Sequence, residues 1–235
     1  MSTLYVVPTP IGNLEDITIR AVNVLKSTNI LLCEDTRNTR KLMVALGIDP
    51  SGKIMIPYFE HNERKKLLEV LNMLKNGEDL ALVSDAGMPL ISDPGYPLIR
   101  EIRQNHPDIK LEILPGASSI LNALVASGFP TDKFTFLGFV PRKPNDKKRF
   151  FGSAIESAKV LKSTFIFFES PLRFSATAEV LVELLPAEAE ICVCRELTKK
   201  FETVFVTKAS NFVQYVKDHE KALKGETVVL FHIID

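Results

Sequence analysis

The 235 residues are 46% hydrophobic, with 29 basic and 29 acidic side chains and a formal net charge of zero; the length exceeds that of a usual single domain and supplies apolar material for two cores. The charge balance excludes indiscriminate attraction to nucleic acid, while local islands of one sign can still form a basic face. Cys33, Cys192 and Cys194 are an odd number of thiols that argues against a disulfide framework, no apolar stretch nears the length of a membrane span, and the start M-S-T-L-Y-V-V-P lacks a leader pattern, so a cytoplasmic location is expected.

Taken in chain order, apolar runs bounded by turn residues predict five strands at Leu4 to Pro8, Ile30 to Cys33, Lys53 to Tyr58, Leu80 to Ser84 and Leu111 to Leu114. Helix-period segments separate them. Leu67, Leu71 and Leu74 make one stripe closed by Gly77, and Ile120, Leu121, Leu124 and Val125 make another that ends at Gly128. Strict alternation of strand and helix implies a parallel sheet with right-handed crossovers. Beyond Gly128-Phe129-Pro130 the texture changes to aromatic strands at Phe134 to Val140 and Thr164 to Phe168, then Ile191 to Cys194, Thr203 to Val206 and Val228 to Ile233. The third and fourth of these are so closely connected that an antiparallel pair is expected, which makes the second sheet mixed. The expectation is therefore two α/β domains, residues 1–130 with a parallel five-stranded sheet and residues 131–235 with a mixed one.

Three rigid turns close strands of the first half: T-P-I-G-N at Thr9 to Asn13, S-D-A-G-M-P-L-I-S-D-P-G at Ser84 to Gly95, and P-G-A-S-S at Pro115 to Ser119. Ligands of α/β sheets bind at the carboxyl ends of strands, so three such turns suggest one crevice. Neither a dinucleotide fingerprint nor a P-loop pattern is present, and the four histidines show no metal-ligand spacing, so no metal is expected.

With C-E-D-T-R at Cys33 to Arg37 and F-L-G-F-V-P at Phe136 to Pro141 added, the chain resembles the tetrapyrrole methylase superfamily of S-adenosyl-L-methionine-dependent enzymes (class III methyltransferases) over nearly its whole length. Within that superfamily it is most similar to the branch acting on ribosomal RNA. The resemblance implies a homodimer of two-domain subunits, with the methyl donor held in the cleft between domains. It also implies 2′-O-methylation of a cytidine ribose in the decoding region of 16S rRNA, presented as RNA or as the small ribosomal subunit. Many members of that branch carry a further helical segment after the last strand, whereas the sequence here stops at Asp235, which leads us to expect a different grip on RNA.

Matching the family's cofactor loop assigns Asp85, Ala86 and Gly87 to the donor, with Pro10 as a wall and Ser118 and Ser119 as hydroxyl or amide contacts at a helix start. Leu137, Gly138 and Thr227 are weaker assignments to the adenine side. Asp85 also reads as a turn-forming residue, and one of the two serines as a helix cap. In-line transfer to a ribose hydroxyl depends on alignment, and a general base would add roughly 10² to 10⁴-fold. Glu34, Asp35, Asp93, Glu169 and Glu196 are the carboxylates placed for that role, and the sequence does not choose among them. Asp35 equally reads as the cap of the helix that follows it, Asp93 as a turn residue, and Glu169 as a structural partner of Arg173.

Arg37, Arg40 and Lys41 share one helix face, Arg142, Lys143, Lys147, Lys148 and Arg149 cluster in the segment entering the second domain, and Arg195, Lys199 and Lys200 follow another strand. Each island alone reads as a solvated face; three together favour phosphate contacts. The cysteines read as buried strand residues. Two other functions stay open: methylation of a tetrapyrrole or other small acceptor, and a donor- or ribosome-binding module without turnover.

Overall fold

Apolar strands too short to stand alone, most of them followed by a helix with one apolar face, pack together with those helices around a shared sheet. In the computed structural model, which describes residues 2–219 and 224–233, this happens twice, in the units Met1–Ser118 and Ser119–Asp235.

The first unit runs β1 (Thr3–Val7), α1 (Ile19–Ser27), β2 (Ile30–Cys33), α2 (Thr36–Ala45), β3 (Ile54–Pro57), α3 (Glu63–Lys75), β4 (Leu80–Val83), α4 (Tyr96–Asn105) and β5 (Lys110–Ile113). Its sheet has the order β3-β2-β4-β1-β5, parallel throughout. Every residue of β2 and β4 is buried, as expected of strands covered on both faces. Leu32, Leu80 and Leu82 meet Leu71, Leu74, Leu98 and Ile102 of α3 and α4 on one side. Leu31, Ala81 and Val83 meet Leu25 and Met43 of α1 and α2 on the other. At roughly 1.5–3 kcal/mol per fully buried aliphatic side chain, these two layers fix the strand order and aim the carboxyl ends of β1, β2, β4 and β5 at one edge. Thr18 caps α1 by accepting from Ala21 N–H at 3.0 Å, and Asp35 caps α2 by accepting from Arg37 N–H at 2.8 Å.

The second unit runs α5 (Ser119–Ser127), β6 (Phe134–Phe139), α6 (Pro144–Leu161), β7 (Thr164–Glu169), α7 (Phe174–Leu184), β8 (Glu190–Arg195), β9 (Thr203–Lys208), α8 (Ala209–His219) and β10 (Thr227–His232). The sheet order is β6-β7-β10-β8-β9; only β6 and β7 are parallel, and β8 and β9 form the expected antiparallel pair. Phe151, Phe174 and Phe212 from α6, α7 and α8 pack on Phe165, Phe167 and Phe231 to form an aromatic core. Cys192 and Cys194 point to the opposite face, both fully buried, where Cys194 Sγ lies 3.9 Å from Ala123 O of α5.

Helix α5 departs from its sequence reading in two ways. It packs on β8, β9 and β10, so it belongs with the second unit and not with the strands that precede it. Its stripe is half right: Ile120 and Leu124 are buried together with Ala123, while Leu121 and Val125 are 51% and 75% exposed. Small Ala123 and Ser127 let the helix lie close to the sheet, which turns the buried face away from Leu121 and Val125. No helix among the described residues is long and apolar enough to cross a membrane.

Candidate functional site

The turn after β1 and the turn after β4 are stitched together. Thr9 and Gly87 exchange backbone hydrogen bonds of 2.9 and 3.0 Å, Thr9 Oγ1 donates to Ser84 O at 3.2 Å, and Ser84 Oγ donates to Gly87 O at 3.3 Å. Gly87 sits at φ +77°, and a Cβ there would come within 3.3 Å of Ile11 Cγ2. The turn after β5 closes on the same place: a Cβ at Gly116 would fall 2.5 Å from Pro8 Cβ, so only glycine allows this approach. The three turns expected to share a crevice thus converge within the first unit, bringing Pro10, Asp85, Ala86, Gly87 and Ser118 together at one sheet edge. Ser119 opens α5.

A second lacing joins the β4 turn to the start of α2. Glu34 accepts from Asp85 N–H at 3.0 Å, while the Asp85 carboxylate accepts from Asp35 N–H at 3.2 Å and from the Asn38 side-chain amide at 2.8 Å. Asp85 is therefore the turn-organising residue of one of its readings, and its two oxygens keep further acceptor capacity. Sequence reasoning passed over Thr9, Ser84 and Asn38. The first two lie inside the turn motifs, but nothing local marks Asn38, whose partner is 47 residues away.

The carboxylates gathered here differ in charge preference. Burial pushes Asp93 up to about 7, helped by the neighbouring charges of Glu34 and Asp85 and opposed by a hydrogen bond from Ser84. Glu34 is raised by burial and by Asp85 and Asp35, against the pull of the Asp85 N–H. Asp35 is held down at about 2 by hydrogen bonds from Arg37, confirming its capping role. Burial takes the Cys33 thiol up to about 11, leaving it inert. Between β4 and α4 the loop carries Leu90 at φ +73° and Ser92 at φ +66°, a left-handed conformation costing on the order of 1–3 kcal/mol per residue. Gly95 N–H donates to Glu63 Oε2 at 2.8 Å and anchors its far end.

In the second unit Glu169 is no solvent-accessible base. Its side chain has no exposed surface and is held by Arg173 at 2.6 Å, by Ser170 N–H at 2.7 Å and by the Thr177 hydroxyl, so the structural ion pair is the correct reading. Lys147 corrects the basic island: it is 5% exposed and donates to Thr177 Oγ1 at 2.9 Å, because the first turn of α6 rotates it inward toward Glu169. Burial lowers its pKa, with the Glu169 charge acting the other way. Arg195 is likewise spent on the fold, donating to Thr203 Oγ1, Phe201 O and Lys224 O at 3.2, 2.8 and 2.9 Å. Lys199 pairs with Glu196 and Glu226 at 3.1 and 2.9 Å, which also makes Glu196 structural. Lys200 lies 5.6 Å from the Phe201 ring centroid.

The remaining cations face outward. Arg37 is tied to Asp35, Lys148 to Glu183 and Arg149 to Asp146. Arg40 and Lys41 line an open groove of about 640 Å³ along α2. Arg142 and Lys143 are exposed, and Lys143 and Arg149 line a groove of about 680 Å³ at the start of α6. Thr227 is buried and its hydroxyl donates to Glu169 O. Leu137 is half-buried against the aromatic core, and Gly138 sits at φ +75°. Among the described residues no group of three or more His, Cys, Asp or Glu is arranged to hold a metal ion.

Comparison with known proteins bears on this geometry. The sequence pattern of the family described as Tetrapyrrole (Corrin/Porphyrin) Methylases matches residues 3–213. A Vibrio cholerae protein named ribosomal RNA small subunit methyltransferase I is 42% identical over 97% of the chain and 76% of its own length. A Thermotoga maritima protein of the same name is 40% identical over 98% of both. The uroporphyrin-III C-methyl transferase of Thermus thermophilus, solved in complex with S-adenosylhomocysteine, superposes with a TM-score of 0.62 over 98% of the chain and 97% of its own at 16% identity, a likeness of fold.

Proposed function

The chain belongs to the tetrapyrrole (corrin/porphyrin) methylase family, and from that premise we propose that it is an S-adenosyl-L-methionine-dependent methyltransferase that transfers a methyl group to the 2′-oxygen of a cytidine in the decoding region of 16S rRNA. The observation that carries the reading is the convergence of three glycine-containing turns on a strip of carboxylates at the sheet edge where α/β folds bind ligands.

The residues present suit that donor. Its sulfonium and ammonium are cationic, and the side chains clustered here are Glu34, Asp35, Asp85 and Asp93; Arg37 beside them is already paired with Asp35. When bound, the donor supplies an electrophilic methyl carbon. Backbone groups of Ala86 and Gly87 reach it where the absence of a side chain allows, Pro10 walls the site, and the spare lone pairs of Asp85 accept from hydroxyl or ammonium. Ser118 adds a donor where the turn after β5 ends.

The ribose hydroxyl is a poor nucleophile, so its proton needs an acceptor as the methyl is transferred. Asp93 suits this role best, half-buried and poised near neutrality; Glu34 is the second choice, while Asp35, Glu169 and Glu196 are committed to the fold. Arg40, Lys41, Arg142 and Lys143 bind RNA phosphates, with Arg37, Lys148 and Arg149 contributing once they leave their carboxylate partners. The protein works in the cytoplasm as a homodimer. Incubation of the purified chain with small ribosomal subunits and methyl-labelled donor tests the reading. Label entering 16S rRNA is the expected result; label entering only a tetrapyrrole, or no transfer at all, rejects it.

A further inference from the structure

Strand β6 lies at the edge of its sheet, and its pairing with β7 is broken once. Phe134, Thr135 and Phe136 pair with Thr164, Phe165 and Ile166, and pairing resumes at Phe139 with Phe168. Leu137 and Gly138 therefore stand together opposite Phe167, a bulge that the φ of +75° at Gly138 makes accessible. Its effect is to re-aim one side chain. In an unbroken strand Phe139 would share the face of Thr135 and Leu137, whose side is occupied by the aromatic core; the extra residue returns it to the face of Phe136.

The result is a set of rings on that second face. Phe136 and Phe139 both pack on Phe168, with centroids 4.9 and 5.2 Å apart, and Phe134 follows two residues before Phe136. The outermost ring is Phe139, 59% exposed, and Phe134 is 43% exposed. The support beneath is rigid: Val140 N–H donates to Phe168 O at 3.2 Å, and Val140 O accepts from Arg173, the residue that pairs with buried Glu169. Three and four residues beyond Phe139, within about 14 Å of extended chain, come Arg142 and Lys143, both exposed and without an ion pair among the described residues.

An exposed aromatic ring is costly to leave in water unless something covers it, and cations this close favour an occupant that is flat, apolar on its faces and anionic along its backbone. Unpaired RNA has that chemistry, with bases that stack on rings and phosphates that meet arginine and lysine. We propose that Phe139, backed by Phe136 and Phe168, is a stacking platform for an unpaired base of the RNA substrate, whose flanking phosphates are held by Arg142 and Lys143. The proposal rests on the RNA-methyltransferase reading and adds where the strand around the target nucleotide is gripped.

The test uses the full chain and its Phe139→Ala, Phe139→Tyr and Arg142→Ala/Lys143→Ala variants, titrated at several salt concentrations with a short unstructured oligoribonucleotide of decoding-region sequence. The same oligomer with single bases removed in turn is titrated alongside. F139A should weaken RNA binding roughly 5- to 150-fold, the range for one lost base stack, with the salt slope unchanged. F139Y should restore it. The double variant should lower the salt slope by roughly 1.4, at ~0.7 per phosphate contact on a single strand. Removal of one particular base should abolish the difference between parent and F139A, an outcome that a merely structural role for the ring would not give. Affinity for S-adenosylhomocysteine should be the same in all variants.

RNA binding by F139A equal to the parent overturns the platform, as does a loss confined to self-association, which would make this face a contact between copies. If the parent methylates ribosomal subunits and F139A does so with the same KM, the platform alone fails. If the parent neither binds nor methylates RNA, the functional reading fails with it.

Discussion

Asp93 and Lys147 are adjacent to the same kinds of neighbour in sequence as many surface residues, yet burial gives each an altered protonation balance. For Asp93 the consequence is measurable. The folded chain keeps its proton up to about pH 7, whereas an unfolded chain loses it near 3.8, so the stability this group contributes is full below about pH 4 and is lost as pH rises through 7. Asp93→Asn should flatten that fall, becoming more stable than the parent at pH 8 while the gap narrows toward pH 4, as read by thermal melts across the range. It should also remove the acidic limb of the pH–rate profile; an unchanged limb would pass the role of base to Glu34. At the buried network, Thr177→Val would leave Lys147 without its acceptor and remove one of the donors to Glu169, which keeps Arg173 and Ser170 N–H, for an expected loss of about 1–3 kcal/mol in urea unfolding. The capping of α2 by Asp35 and the pairing of Glu169 with Arg173 were readable from sequence because both partners lie within one turn. The inward rotation of Lys147 and the Asn38–Asp85 contact were not, since each depends on a residue 30 or more positions away.

Turns and strands carry the local logic of the fold. The run Ile30 to Cys33 in the sequence is β2 itself, since an apolar run covered on both faces has no periodicity to confuse and ends where polar residues begin. Helix α5 shows the opposite case: Ile120, Leu121, Leu124 and Val125 are equally apolar, and only the close approach permitted by Ala123 and Ser127 decides which two are covered. The turns are legible because they use glycine where the backbone demands it. Gly116→Ala would place a Cβ 2.5 Å from Pro8, forcing the β5 turn away from the β1 turn. We expect a cost of about 1–3 kcal/mol in stability and at least a tenfold loss of donor affinity; calorimetry showing parental affinity would remove the β5 turn from the donor site. The bulge in β6 was hidden in F-L-G-F, since the pairing partner that reveals it lies in another strand.

Across the whole chain, charge is balanced, so any hold on RNA comes from placement and not from excess. The structure sorts cations that the sequence could only group: Lys147, Arg195 and Lys199 serve the fold, while Arg40, Lys41, Arg142 and Lys143 face solvent. Neutralising Arg40 and Lys41 should weaken RNA binding and flatten its salt dependence without touching donor affinity, whereas Arg195→Ala should reduce stability first. The architecture of a parallel sheet followed by a mixed one followed from strand spacing alone, but the place of α5 did not, because a helix between two sheets can pack on either. The claim on which the rest depends is that the joined turns after β1 and β4 hold the methyl donor. Titration of the folded chain with S-adenosylhomocysteine, beside a Gly87→Val variant shown by circular dichroism to be folded, tests it most directly. One molecule bound per chain by the parent and a loss of at least tenfold in the variant is the result expected; no heat from the parent, or equal affinity in both, would contradict it.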